Sequence, residues 1–360
     1  MRAHDVTQLG LRRLVGLIGA VSLVAAACSS GAASTAPSAA PSEAAASAAP
    51  TSELAGKTLE IAYLSFAVAN SYDAPMLAAA QAAAAAGNAK LTVFDANLDP
   101  ARQTTQLQDA TASGKFDGII TQPLFGAGLV DGVEAAIAAG IGVGNIDQIL
   151  GADQTTAEAQ VEGLLANVAF VPSTLGRKIG ELVVQACEEK AANPCNVGYI
   201  YSVKAAALDT TLKQAFDEVT AGKNIVVVGE GESFYTTALG LKASQDLLAA
   251  HPDLTLIVGA DQAITGAVQA VTAAGVADKV ALIGYGGGAI ALQGIAAGER
   301  FGTVMQMPAT EGRLGTEQLI EAIRTGVAAP GMDPLDALPE GGVVTKANVE
   351  TFLPLAEWPG

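Results

Sequence analysis

From residue 59 to about residue 324 the chain repeats one pattern: a short, continuous apolar run, then a longer Ala-rich stretch of helical character. The runs fall at 59–63, 91–94, 118–121, 141–145, 197–201, 225–228, 256–259, 280–283 and 303–307. Between them, residues 74–86, 103–112, 130–139, 174–189, 211–220, 237–250, 263–274 and 289–297 predict helices. Runs that are apolar throughout, instead of alternating, predict strands buried on both faces. Strand–helix alternation at this spacing predicts right-handed crossovers and a parallel, doubly wound sheet. Nine strands are too many for one comfortable sheet of this kind. Two Rossmann-like α/β lobes in tandem are expected, with a break near Val171-Pro172.

In such sheets a ligand binds beyond the carboxyl ends of the strands. The polar and aromatic residues that follow each run are therefore the candidate site. They are Asn70, Tyr72 and Asp73 after the first run, Asp95 and Asn97 after the second, Gln122 after the third, and Asp147 with Gln148 after the fourth. The second half contributes Asp209 with Thr210, Tyr235, Asp261 with Gln262, Tyr285 and Gln306. This set suits hydroxyl groups, with a few aromatic faces for stacking. Each residue also has a plainer role: the aspartates as helix caps, the tyrosines as partly buried core. Tyr285-Gly286-Gly287-Gly288 either cradles an anion through its N–H groups or makes a tight strand-to-helix turn. The segment Asp95-Ala96-Asn97-Leu98-Asp99 begins like a calcium loop, but Pro100 and Gln106 stand where such a loop needs Gly and Glu.

Ahead of residue 59 the character changes. Arg2, Arg12 and Arg13 precede an apolar run at 14–27 that ends in Ala25-Ala26-Ala27, the layout of a secretory signal peptide. The run falls short of the roughly 20 residues that span a bilayer. Cys28 follows directly, which resembles the lipobox of bacterial lipoproteins. Residues 1–27 then form the signal, and Cys28 is the lipidated first residue of the mature chain. Residues 28–56, dominated by Ala, Ser, Pro and Thr, bury too little surface to offset their ordering entropy and read as a disordered tether. The expected location is extracytoplasmic, attached to the bacterial cell membrane by lipid alone.

Charge and cysteine content narrow the partners. With 36 acidic against 19 basic residues the net charge is -17, a surface that repels phosphate backbones and excludes nucleic acid. Cys187 and Cys195, the other two cysteines, lie between a predicted helix end and a strand start. In an oxidising compartment they are expected to form a small structural disulfide. His251 is the one histidine after the leader, too little for a metal cluster or a His-based triad. No metal, cofactor or catalysis is expected.

Four stretches, at 95–103, 114–123, 247–261 and 302–308, resemble in order and spacing the type I periplasmic solute-binding proteins, and among them the ribose/galactose-like sugar binders of ATP-binding-cassette importers. The resemblance runs from about residue 59 to 325. It implies lobes joined by three crossovers near Val171-Pro172, Met307-Pro308 and residues 332–334. Lobe 1 is then 57–171 plus 308–333, and lobe 2 is 172–307 plus 334–360, with an edge strand at 342–345. The family positions imply binding by Asn70, Tyr72 and Asp147 from one side, Tyr235 and Asp261 from the other, and Gln306 at the hinge. A monomer would close over its solute and present it to a membrane permease. Departures from the family are specific. Gln148 and Thr210 stand where Arg is usual, Ala260 replaces an Asn, Gly286 replaces an Asp, and Asp73 replaces a second aromatic. Lost partners of this kind cost about 1–3 kcal/mol each, so ribose itself is not expected. A neutral polar solute, a monosaccharide or polyol, is. A sensor feeding a receptor or kinase is the alternative that the sequence leaves open, and a secreted carbohydrate-active enzyme lacks a catalytic signature.

Overall fold

The computed structural model describes residues 56–360; the leader, Cys28 and nearly all of the tether lie outside the described residues. Strands β1 (Leu59–Ser65), β2 (Ala89–Asp95), β3 (Gly118–Thr121), β4 (Gly142–Asp147) and β5 (Ala166–Ala169) form one parallel sheet in the order β2-β1-β3-β4-β5. Helices α1 (Asp73–Ala86), α2 (Pro100–Ala112) and α3 (Gly126–Ala138) connect the first four strands. The second sheet contains β6 (Cys195–Tyr201), β7 (Ile225–Glu232), β8 (Leu256–Gly259), β9 (Ala281–Gly286), β10 (Gly302–Met305) and β11 (Val343–Thr345), ordered β11-β10-β9-β8-β6-β7. Only the edge strand β11 runs antiparallel to its neighbour. Helices α4 (Pro172–Glu189), α5 (Ala207–Thr220), α6 (Thr237–Ala250), α7 (Asp261–Ala273) and α8 (Ala289–Ala297) cover this sheet. These are two doubly wound α/β lobes.

Successive residues of one strand feed opposite cores, which is why the runs are apolar throughout. Ile61 and Tyr63 pack with Met76 and Leu319 on one face of the first sheet, while Ala62 and Leu64 pack with Leu107 and Leu129 on the other. In the second sheet Tyr199 meets Leu212 and Phe216, and Ile200 meets Leu247 and Ile264. The helix starts are set by local capping. Asp99 accepts the N–H of Ala101 at 2.9 Å and of Arg102 at 3.2 Å, with Pro100 at the first helical position. Asp95 accepts from Asn97 at 2.9 Å. The aspartates of the calcium-like segment thus order a turn and a helix start. Cys187 and Cys195 are disulfide-bonded, Cα atoms 5.8 Å apart, joining the end of α4 to the start of β6.

The chain passes between lobes three times. It leaves β5 through Phe170 and Val171 into α4, and returns from β10 through Gln306 and Met307 into α9 (Pro308–Thr325), which packs on α1, β4 and β5. Past Met332 it crosses again to reach β11. The passages are tied to one another: the N–H of Ala169 donates to the Met332 carbonyl at 3.0 Å, and the N–H of Val171 to the Asp333 carboxylate at 2.9 Å.

Candidate functional site

A cavity of about 30 Å³ lies between the lobes at the carboxyl ends of their strands, room for about two water molecules. Lobe 1 lines it with Phe66 after β1, with Asn70, Tyr72 and Asp73 at the start of α1, and with Asp147 at the end of β4 and Gln148 after it. Lobe 2 contributes Leu208, Tyr235, Ala260, Gln262, Tyr285 and Gly286, and the passages between lobes add Phe170 and Gln306. Trp358, from the last residues of the chain, closes one side.

Local backbone chemistry aims these side chains. The Asn70 carboxamide oxygen accepts the N–H of Tyr72 at 2.8 Å, a turn that fixes the ring at the head of α1. Asp147 is held at φ +71°, and Phe234 and Tyr235 at +46° and +53°. Left-handed backbone at non-glycine residues costs on the order of 1–3 kcal/mol each, and concentrates at functional sites. The Tyr235 ring meets Phe66 edge-on across the cleft at 6.0 Å, and Tyr72 meets Trp358 in the same way at 5.4 Å.

The polar floor of the cavity is acidic. Gln122 lies behind it, its amide nitrogen donating to Asp147 at 3.2 Å and also to Asp73, while its oxygen accepts the N–H of Phe66 at 3.2 Å. Gln103 braces it by donating to the Gln122 carbonyl at 2.6 Å. Glu311 of α9 is buried on the far side of Tyr72, whose hydroxyl is 3.4 Å from it. Burial raises all three carboxyl groups. Asp147 is pushed up to about 7, against the lowering effect of the Gln122 and Tyr72 hydrogen bonds. Asp73 and Glu311 are raised well above the usual range, first by burial and then by the Asp147 charge.

A carboxyl group whose folded pKa is raised holds its proton longer when folded, so its stabilisation is full below the unfolded value near 4. It is then lost as pH climbs toward the folded value. For Asp147 that window runs from about pH 4 to 7. Between pH 5 and pH 8 the protein is expected to lose about 2–4 kcal/mol of stability, read as a fall of several degrees in melting temperature. Asp147→Asn should shrink that difference; an equal fall in the variant would assign it to other groups.

Nine of the fifteen residues singled out from the sequence line the cavity: Asn70, Tyr72, Asp73, Asp147, Gln148, Tyr235, Gln262, Tyr285 and Gln306. Asp95, Asn97 and Thr210 lie away from it, and three more serve the structure around it. Gln122 is one layer back, joining two carboxylates. Asp209 spends its carboxylate on the N–H groups of Ser202 (2.6 Å) and Val203 (3.1 Å), closing the turn between β6 and α5. Burial lifts it to about 6. Asp261 is fully buried, accepting from the N–H of Gly287 at 2.6 Å and the Thr303 hydroxyl at 3.1 Å, and paired with Arg300 at 3.4 Å. Burial raises Asp261 and the Arg300 charge opposes it. Its neighbour Gln262 lines the cavity instead.

The sequence reading missed Trp358, and its position explains part of the glycine run. The indole N–H donates to the Gly286 carbonyl at 2.8 Å, and the carbonyls of Trp358 and Pro359 accept the N–H groups of Ala289 and Ile290, each at 2.9 Å. The free amides at the start of α8 are thus taken by the tail, not held open for an anion. A Cβ on Gly286 would come within 2.6 Å of the indole, and one on Gly288 within 2.7 Å of Gly360. Gly286 and Gly288 are bare because the tail lies on them, whereas Gly287, at φ +69°, lies against Met305.

The profile of a family described as periplasmic binding protein domain matches residues 61–326. This chain belongs to the periplasmic binding protein family. A ribose import binding protein of Bacillus subtilis (strain 168) is 27% identical to this periplasmic binding protein over 229 residues, 63% of this chain and 70% of the relative. The D-allose-binding periplasmic protein of Escherichia coli (strain K12) is 27% identical over 246 residues, 65% and 73% of the two chains. Among solved structures, an ABC transporter solute binding protein of Mycobacterium smegmatis with bound glycerol has a TM-score of 0.71 at 24% identity, covering 84% of this chain and 100% of that one. A Caulobacter myo-inositol binding protein has a TM-score of 0.70 at 22% identity, covering 82% and 96%. In this periplasmic binding protein the Asp that the sugar-binder pattern expects beside Tyr285 is Gly286, and the Trp358 indole packs against it.

Proposed function

We propose that this chain is the solute-capturing component of an ABC importer. It works outside the cytoplasm as a monomer tethered through a lipidated Cys28. It closes its lobes over a small polyhydroxylated solute, a monosaccharide or polyol, and presents the closed form to a membrane permease without chemical change. One observation carries the reading: lobe 1 contributes carboxylates, and both lobes and the passages between them contribute carboxamides and aromatic side chains, to a single cavity at the carboxyl ends of their strands. The names of the relatives, ribose and allose binders, support the same class of solute. The cavity has room for about two water molecules, fewer than a sugar displaces. Entry therefore requires the lobes to part about residues 170–171, 306–307 and 332–333, and a solute that bridges both lobes draws the equilibrium back to the closed form.

The test is a thermal-shift screen of the purified protein against aldoses, ketoses, polyols, nucleosides and amino acids. A solute at about a thousand times its dissociation constant adds roughly 4 kcal/mol, a shift of several degrees. A response confined to sugars or polyols is expected. A response only to nucleosides or amino acids would keep the fold and overturn the solute class.

A further inference from the structure

The charge balance of the cleft is one-sided. Asp73 and Asp147 line it, and no Lys, Arg or His does. What faces these carboxylates from the surrounding elements is acidic, phenolic or neutral: Tyr63 on β1, Gln122 after β3, Tyr72 at the head of α1, Glu311 on α9, and Tyr235 from the other lobe. Asp95 adds to the repulsion at Asp73, and Asp333 and Glu357 add to it at Glu311. A single carboxamide, Gln122, donates to both lining carboxylates.

A further observation bears on the chemistry of the ligand. The remaining walls are aromatic: Phe66, Tyr72, Phe170, Tyr235, Tyr285 and Trp358 all reach the cavity. Aromatic rings beside carboxylates form the surroundings that favour an organic cation. A metal ion fits less well, because no group of three or more His, Cys, Asp or Glu among the described residues is arranged to hold one.

We propose that the captured solute carries a protonated amine, as an amino sugar or amino polyol does, with the ammonium held by Asp73 and Asp147 and the carbon skeleton against the aromatic walls. This rests on the solute-capture reading above and narrows it, replacing the neutral solute expected from the sequence. A neutral sugar leaves at least one of the two carboxyl groups holding its proton, because two like charges cannot face each other in a site with little water. An ammonium cancels that repulsion as well as donating three hydrogen bonds. Gln148 and Thr210, where the sugar-binder pattern has Arg, and Asp73, where it has an aromatic ring, are then one coordinated change of charge.

Isothermal titration of the purified protein with matched pairs tests this: D-glucosamine, D-galactosamine and D-mannosamine against their parent hexoses, and 1-amino-1-deoxysorbitol against sorbitol. At least one amine is expected to bind ten or more times tighter than its hydroxyl partner. For 1-amino-1-deoxysorbitol that preference should grow from pH 5.5 to pH 8, as Asp147 loses its proton. Asp147→Asn or Asp73→Asn, each keeping the side-chain shape, should bring the ratio close to one. A neutral partner that binds as tightly as the amine, or a preference untouched in both variants, would overturn the ammonium and leave solute capture standing. Binding by no member of either series would overturn both.

Discussion

Asp261→Ala is expected to lower stability by about 3–5 kcal/mol, a fall of roughly 8–12 °C in melting temperature for a domain of this size. The carboxylate is buried with Arg300, whose guanidinium is itself almost wholly enclosed, and it also answers Gly287, Gly288 and Thr303. Removing it strands a positive charge and several donors away from water, which is far costlier than losing a contact at the surface. Differential scanning calorimetry decides the matter. A variant that melts normally but binds solute ten times more weakly would return Asp261 to the role that the sequence pattern suggests for it.

Trp358→Ala should be the second large effect, with two separable consequences. Truncating a buried tryptophan costs about 3–5 kcal/mol, and Trp358 is 3% exposed. The same change removes a wall of the cavity and strips Tyr72 of its edge-to-face partner, so solute affinity should fall at least tenfold. Trp358→Phe separates these effects: it keeps a wall and gives up the hydrogen bond to the Gly286 carbonyl, a loss of about 1 kcal/mol. Unfolding curves and calorimetric titrations of both variants test the prediction. Wild-type affinity in Trp358→Ala would mean that the tail is not part of the binding surface.

These two residues also mark how far the sequence could be read. The strands were visible because a sheet covered by helices on both faces demands mostly apolar residues on both sides of each strand, and β1, β3, β6 and β8 meet that demand with few polar positions, such as Glu60, Thr121 and Asn196. β5 went unseen because Ala166–Ala169 is four residues of Ala, Asn and Val, held between β4 and the bridge to Met332 and not by its own β propensity. Helices α2 and α4 begin two or three residues before their predicted starts, at Pro100 and Pro172, because proline opens a helix more readily than it continues one. For the site, chain position after a strand identifies which loops reach the cleft but not which side chain does. At the start of α7 one residue of helix is a turn of about 100°, enough to send Asp261 into the lobe and Gln262 into the cavity. Trp358 carries no such signal. It lies beyond the repeating pattern, and only the folded chain brings it to Gly286, 72 positions earlier.

Trp358 is also the only tryptophan in the sequence. The indole emission of this protein, excited at the red edge where tyrosine is silent, therefore arises from one wall of the cleft and from nowhere else. Any solute that settles beside it, or any parting of the lobes that wets it, must change the colour or yield of that light. A titration that follows this emission is expected to report whether solute enters the cleft; unchanged emission through a saturating titration would place binding elsewhere.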